Sequence, residues 1–249
     1  MTASLVTIEG AQKEFRHRSG IVRALDDVSF DVRAGEFLTI VGPSGCGKST
    51  LLSIIAGLSQ LSGGTMRRDA TVARPGGIGM VFQKPVLLQW RTILENVLMP
   101  AEILRTDRKA AQAKAMELIK LTGLSGFEDA WPHQLSGGMA QRTSICRALL
   151  TDPPLLLMDE PFGALDAITR ERMNLELQRI WSTTAKTVVF VTHSIEEAVL
   201  LSDRAIVMSA RPGKVAKILI NELPRPRDVE TLSSPLFAEY CSQIRHLLI

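Results

Sequence analysis

Residues 42–50 read Gly42-Pro43-Ser44-Gly45-Cys46-Gly47-Lys48-Ser49-Thr50, a GxxxxGK[ST] pattern whose residue types suit the holding of phosphate groups. Glycines allow successive backbone N–H groups to turn inward around phosphate oxygens, and a helix start behind them adds partial positive charge. Lys48 would neutralise the outer phosphates, and the Ser49 hydroxyl is a hard oxygen donor for Mg²⁺. A second chemistry-bearing pair, Asp159-Glu160, closes the apolar run Leu155-Leu156-Leu157-Met158. Asp159 would hold Mg²⁺ through water, and Glu160 would orient or deprotonate an attacking water. Phosphoryl transfer asks for positioning and charge stabilisation more than for covalent chemistry. The simpler readings are a ligand-free glycine turn for the loop and a turn-capping role for the two acids.

A third group, Leu135-Ser136-Gly137-Gly138-Met139, precedes a helical pattern in which Ile145, Ala148 and Leu149 are apolar. Ser136 can cap that helix while Gly137 and Gly138 expose N–H groups, which makes a second anion-ready helix start. A monomer already using one helix start for its phosphates has no evident need of another. The economical assignment gives the second to the γ-phosphate of a nucleotide held by another copy, in an isologous two-fold dimer. An ordinary capped helix is the alternative. Arg142 and Arg147 on that helix are expected to brace it rather than to touch phosphate.

These groups need a frame. Apolar runs at 37–41, 155–158, 188–192 and 205–208 read as buried strands, and helical patterns follow the first three. Leu51, Ile54, Ile55 and Leu58 repeat at helical spacing after the first run, as do Met173, Leu177, Ile180 and Trp181 after the second. That alternation predicts a parallel sheet covered by helices, with ligands at the carboxyl ends of its strands. From 84 to 150 the rhythm breaks into a helical insertion, Ala-rich over 108–120. Residues 5–33 alternate apolar and polar residues around turns, which suggests a small antiparallel layer. The tail beyond 219, with Pro224, Pro226 and Pro235, reads as a surface extension that ends in a short helix near 237–248.

Composition narrows the class. The 249 residues are 45% hydrophobic, enough for one large domain or two small ones, and the chain is expected to be globular and complete. Its formal net charge of +3 is spread along the chain, without the basic run of a nucleic-acid arm. Cys46, Cys146 and Cys241 form neither a CxxC pair nor an even set, so a reducing cytosol is expected. The first ten residues lack a leader pattern, and no apolar run nears the roughly 18 residues that cross a bilayer.

Taken together, Gly42 to Thr50, Gln83, Leu135 to Gly138, Asp159-Glu160 and His193 resemble, in order and spacing, the ABC ATPase family across nearly the whole chain. The resemblance implies a P-loop NTPase (RecA-like) α/β fold in a single ATPase domain over 1–249. Its core would take 1–83 and 151–220, its helical subdomain about 84–150, and its C-terminal extension 221–249. ATP and Mg²⁺ would be the cofactors, with Ser49, Gln83 and Asp159 serving the metal. Gln83 would reach the attacking water, His193 the γ-phosphate, and Phe15 would stack on adenine. Asp166, in the stretch Phe162-Gly163-Ala164-Leu165-Asp166, would couple two copies along their seam.

The phrases from Asp159 to Ala167, from Ile195 to Val199 and from Met208 to Lys214, with Leu223-Pro224-Arg225-Pro226-Arg227-Asp228, look like the nitrate, taurine and aliphatic sulfonate importer branch. That likeness implies a subunit at the cytoplasmic face of the inner membrane, docked on an integral permease and served by an extracytoplasmic solute-binding protein. Trp90, Arg91, Ile93, Leu94 and Val97 would line the groove for the permease. Met139 stands where many relatives carry Gln, and Ser194 where Asp is common. No regulatory domain is expected beyond the tail. The competing function is a soluble ABC ATPase acting on DNA, ribosomes or cluster assembly. Such proteins usually show a coiled coil, zinc cysteines or a second cassette, none of which appears in the sequence. A guanine-reading switch would want NKxD, which also does not occur.

Overall fold

The alternating opening segment pairs with itself. In the computed structural model, which describes residues 3–17, 20–184 and 186–248, β1 (Ser4–His17) and β2 (Gly20–Arg33) run antiparallel, with Ile8 opposite Phe30. Val6, Ile8, Ala11, Leu25, Val28 and Val32 are buried, so one face of the layer is the packed one. β3 (Phe37–Val41), apolar but for Thr39, is buried at every position, and α1 (Lys48–Ala56) buries Leu51, Leu52, Ile54 and Ile55. Leu58 does not continue that stripe. It follows Gly57, whose φ of 80° ends the helix, and is exposed. β4 (Gly63–Arg68) then joins β1 antiparallel, giving the order β2-β1-β4. Two glycines and two arginines in GGTMRR hide this strand from a hydrophobicity pattern.

Contacts divide the chain into two units, Met1–Asp69 with Thr187–Ile249, and Ala70–Lys186. The second unit opens with the short α2 (Ala70–Ala73) and β5 (Ile78–Val81). The helical stretch anticipated over 84–150 lies within it. α3 (Ile93–Leu104) starts in a capping box: the Thr92 hydroxyl accepts from the Glu95 N–H at 3.3 Å, and the Thr92 N–H donates to the Glu95 carboxylate at 2.8 Å. α4 (Arg108–Leu121) is capped by Asp107, and α5 (Gly137–Leu149) by Ser136. β6 (Leu155–Asp159) pairs parallel with β5, Met158 beside Val81. α6 (Ala167–Thr184) buries Met173, Leu177 and Ile180, as its periodicity predicts. The strand pattern misses β5 because Gly79 interrupts it. A Cβ at Gly79 would stand 2.4 Å from the Ala148 carbonyl oxygen, so this strand passes α5 too closely for any side chain.

The chain returns to the first unit with β7 (Thr187–Thr192), α7 (Ile195–Leu201), β8 (Arg204–Met208) and β9 (Val215–Ile220). β7 and β8 flank β3, both parallel to it, and β9 runs antiparallel along the far side of β8. α8 (Val229–Leu232) and α9 (Pro235–Leu248) follow. The tail is less superficial than its prolines suggest: Leu223, Arg227, Phe237, Cys241 and Ile244 are all buried. α9 carries its apolar residues on one face and packs them on α7 and β8.

Within the second unit, Asn96 holds an otherwise irregular stretch. It is fully buried; its Oδ1 accepts from the Leu88 N–H at 2.8 Å, and its Nδ2 donates to the carbonyls of Leu88, Arg91 and Thr92. Replacing Asn96 by Ala removes the side-chain partner of the Leu88 N–H and of the Arg91 carbonyl. We expect Asn96→Ala to destabilise by about 2–3 kcal/mol, read as a lower denaturation midpoint with an unchanged slope; a shift under about 0.5 kcal/mol would contradict this role.

Candidate functional site

The phosphate-loop candidate belongs to the first unit. Between β3 and α1 the chain turns through Gly47, with φ at 103°, where a Cβ would meet the Ala24 carbonyl oxygen at 2.9 Å and the Leu25 side chain at 2.7 Å. Lys48 is almost wholly buried, and its ammonium donates to the carbonyls of Gly42 at 2.8 Å and Pro43 at 3.0 Å. Those bonds hold the cation against the loop itself. Ser44, Gly45 and Ser49 are exposed, Pro43 and Thr50 half-buried, and Cys46 buried. No side chain caps α1, and its first turn holds no acid, whereas Thr92, Asp107, Ser136 and Ser194 each cap the helix that follows them. The N–H groups of α1's first turn therefore have no side-chain cap, the arrangement that an anion completes.

Residues far away in sequence fix this loop. The Gly213 N–H donates to the Ala24 carbonyl at 2.9 Å, and its own carbonyl accepts from the Asp26 N–H at 3.0 Å. A Cβ on Gly213 would stand 2.0 Å from the Cys46 carbonyl oxygen. Gly213 falls in the Met208 to Lys214 phrase, but nothing in that phrase announces that it packs on the phosphate-loop candidate. His193 is exposed and directly follows β7, where Thr192 pairs with Val41, so His193 and Gly42 leave neighbouring strand ends. Ser194 takes the Asp position without loss of the cap: its hydroxyl accepts from the Glu197 N–H at 3.2 Å. Phe15 is 44% exposed rather than part of the core, with the Lys13 ammonium 5.0 Å from its ring centroid.

The second unit assembles its own set. β5 and β6 are parallel with Val81 beside Met158, so Gln83 and the Asp159-Glu160 pair follow the same sheet edge. Glu160 has φ at 43°, a left-handed conformation rare outside glycine. The Gly163 N–H donates to the Glu160 carbonyl at 3.0 Å, closing a tight turn. A Cβ on Gly163 would lie 3.5 Å from the Gln83 Nε2 and 3.6 Å from a Glu160 carboxylate oxygen, so both side chains converge on that glycine. Fully buried Phe162 anchors the turn from below, and Arg170 donates to the carbonyls of Phe162 and Leu165.

Asp166 caps α6, accepting from the Thr169 N–H at 3.0 Å, and the Thr169 hydrogen bonds hold its carboxyl below the usual range. Ser136 caps α5 through the Met139 N–H at 3.3 Å. Ideal Cβ positions on Gly137 and Gly138 would lie 3.4 Å from Leu165 and 3.6 Å from Thr169, so the Ser136–Gly138 segment and the Asp166 turn are neighbours. The two arginines brace, as the sequence suggests. Arg142 donates to the Thr122 carbonyl, while Arg147 donates to both Pro85 and Val86 at 2.8 Å and so ties the segment after Gln83 to α5.

The groove expected from Trp90 to Val97 is differently made. Ile93 and Val97 are fully buried core residues, and Arg91 pairs with Glu102 at 2.6 Å. Helical spacing turns Ile93 and Val97 inward together, leaving Trp90 exposed. A nearby cleft of about 330 Å³ is instead lined by Phe82, Val86, Leu88, Met99 and Pro100.

The family model described as ABC transporter matches residues 25–163. The taurine import ATP-binding protein TauB of Rhizobium johnstonii is 46% identical over 252 residues, which cover 98% of this chain and 96% of that protein. The aliphatic sulfonates import ATP-binding protein SsuB of Bacillus cereus is 44% identical over 224 residues, covering 89% of this chain and 88% of that protein. Among solved structures, a dimeric ATP-binding cassette in a post-hydrolysis state bound to ADP and Pi superposes with a TM-score of 0.75 at 35% identity. The match covers 86% of this chain and 98% of that one.

Gly213→Ala should disturb the phosphate-loop candidate from behind. The added methyl meets backbone rather than a flexible side chain, so we expect a loss of about 1–3 kcal/mol in stability together with weaker nucleotide binding. Thermal unfolding and calorimetric titration with an ATP analogue check this; wild-type values in both would show that the contact is not a constraint.

Proposed function

The chain belongs to the ABC transporter ATP-binding family, and we propose that it works as the ATP-hydrolysing subunit of an importer for a small anionic solute such as taurine, an alkanesulfonate or nitrate. One observation carries this reading: an uncapped helix start behind Gly42–Ser49, with the Lys48 ammonium held at the loop by two carbonyls. Lys48 and the N–H groups of α1 bind the phosphates, and Phe15 offers an exposed ring face to adenine. Ser49, Gln83 and Asp159 supply a few hard oxygen donors, which fits Mg²⁺, an ion that keeps waters and phosphate oxygens as its remaining ligands. When bound, the ion neutralises charge on the phosphates. Glu160, with Gln83 beside it at Gly163, orients the attacking water and takes its proton; His193 contacts the γ-phosphate.

Ser136, Gly137 and Gly138 then serve the nucleotide of a second copy, with Asp166 on the same surface to couple the two. Dimeric solved relatives support that arrangement. Among the described residues no helix is long and apolar enough to cross a membrane. Attachment at the cytoplasmic face therefore falls to a permease partner, and the cleft that follows Gln83, lined by Phe82, Val86, Leu88 and Met99, suits an apolar element of it. A solute-binding protein outside the membrane acts through that permease, and no nucleic acid takes part.

Two substitutions test the chemistry. Glu160→Gln should keep ATP affinity, lower kcat by roughly 10²–10⁴ and accumulate an ATP-bound dimer in size-exclusion chromatography; turnover equal to wild type would remove Glu160 as the base. Lys48→Ala should abolish measurable ATP binding in calorimetry, and an unchanged affinity would refute the phosphate-loop assignment. The transport role is tested by purifying tagged Glu160→Gln chain from its native membranes with ATP and Mg²⁺. Co-purification of a polytopic permease supports it, and recovery of only soluble partners overturns it.

A further inference from the structure

α7 (Ile195–Leu201) is a two-turn helix with no basic residue in its last turn. A helix this short has little stability of its own, and its final carbonyls need outside partners. Every one of them finds a partner in residues 221–227. The Val199 carbonyl accepts from Asn221 at 2.7 Å and Arg227 at 3.1 Å, and that of Leu200 from Arg227 at 3.0 Å. The Leu201 carbonyl accepts from Arg225 at 2.6 Å, and that of Ser202 from Arg227 at 2.8 Å and Asn221 at 2.9 Å. Arg227 also donates to Leu223, which folds the strap back on itself. Burial pulls the Arg227 pKa down to about 10, so it stays charged near neutral pH.

The other end of α7 begins at His193. The Ser194 N–H donates to the Thr192 hydroxyl at 3.0 Å, and that hydroxyl donates in turn to the buried Glu197 carboxylate on α7. Ser194 Oγ accepts from the Glu197 N–H. The backbone on both sides of His193 is thus pinned to α7, and α7 is pinned by 221–227.

We infer that the 221–227 strap, with Arg227 at its centre, is a positioning element for His193, setting the height of α7 and hence where the imidazole stands. This rests on the proposed role of His193. A purely structural anchor would lower stability without acting through His193, whereas a positioning element shares its effect with that residue.

A double-mutant cycle on the full chain separates the two. Arg227→Met should lower ATPase kcat about tenfold with KM for ATP within about twofold. Arg227→Lys, whose ammonium can still reach the clustered carbonyls, should recover to within about threefold of wild type. His193→Ala/Arg227→Met should be no slower than His193→Ala alone, within about twofold. Multiplied losses in the double variant, or wild-type kcat in a folded Arg227→Met chain, overturn the inference. If Arg227→Met does not fold, Asn221→Ala, which removes the strap's other bonds to the Val199 and Ser202 carbonyls, takes its place in the same cycle with the same two overturning outcomes. An undiminished kcat in His193→Ala removes His193 from the reaction and the strap's role with it; a slow His193→Ala beside a fast Arg227→Met overturns the strap alone.

Discussion

A loop suited to an anion can spend few of its N–H groups on its own shape; in this one the Cys46 N–H donates to the Pro43 carbonyl at 3.3 Å. Other contacts must supply the path, and here they are backbone contacts made at separations that only glycine permits. Gly213 sits against the Cys46 carbonyl, closer than a Cβ would allow, and is itself bonded to Ala24 and Asp26. Gly47 lies against Ala24 in turn. The phosphate-loop candidate is therefore wedged between the β2 strand and the turn after β8, and Lys48 closes it by donating to Gly42 and Pro43. Rigidity imposed from outside leaves α1's first turn without a side-chain cap, which is the feature that suits it to phosphate.

The carboxylate pair follows a different physical rule. Glu160 adopts a left-handed backbone conformation that costs on the order of 1–3 kcal/mol for a residue with a Cβ. Fully buried Phe162 and the Arg170 bonds to Phe162 and Leu165 over-determine the turn and hold it there. The strain aims the Glu160 side chain toward Gly163 and Gln83 instead of along the line of the strand.

Helix ends carry much of the remaining design. Helices α3 to α8 are each closed at their starts by a Ser, Thr or Asp side chain, and α7 is closed at its far end by residues twenty and more positions away in sequence. Arg147, charged and largely buried, spends its guanidinium on the carbonyls of Pro85 and Val86, which ties α5 to the segment after Gln83. Burial draws its pKa downward, and two backbone acceptors compensate the buried charge.

Local patterns carried a large part of this molecule. Largely apolar runs marked β3, β6, β7 and β8, because a strand buried along its length holds few polar groups, and those it holds are bonded, as Thr39 is to the Ala198 carbonyl. Glycine, lysine and hydroxyl at fixed spacing marked the phosphate-loop candidate, and Ser136 stood where a cap belongs. Strands β4, β5 and β9 escaped notice, since half-exposed or glycine-bearing strands leave no apolar run. Equally invisible were the Gly213 wedge, the left-handed Glu160, the inward turn of Ile93 and Val97, and the strap on α7. The wedge and the strap depend on backbone atoms brought together from distant parts of the chain. A carbonyl has the same chemistry in every residue, so no side-chain pattern announces which one a distant glycine or arginine will meet; only the folded chain decides that.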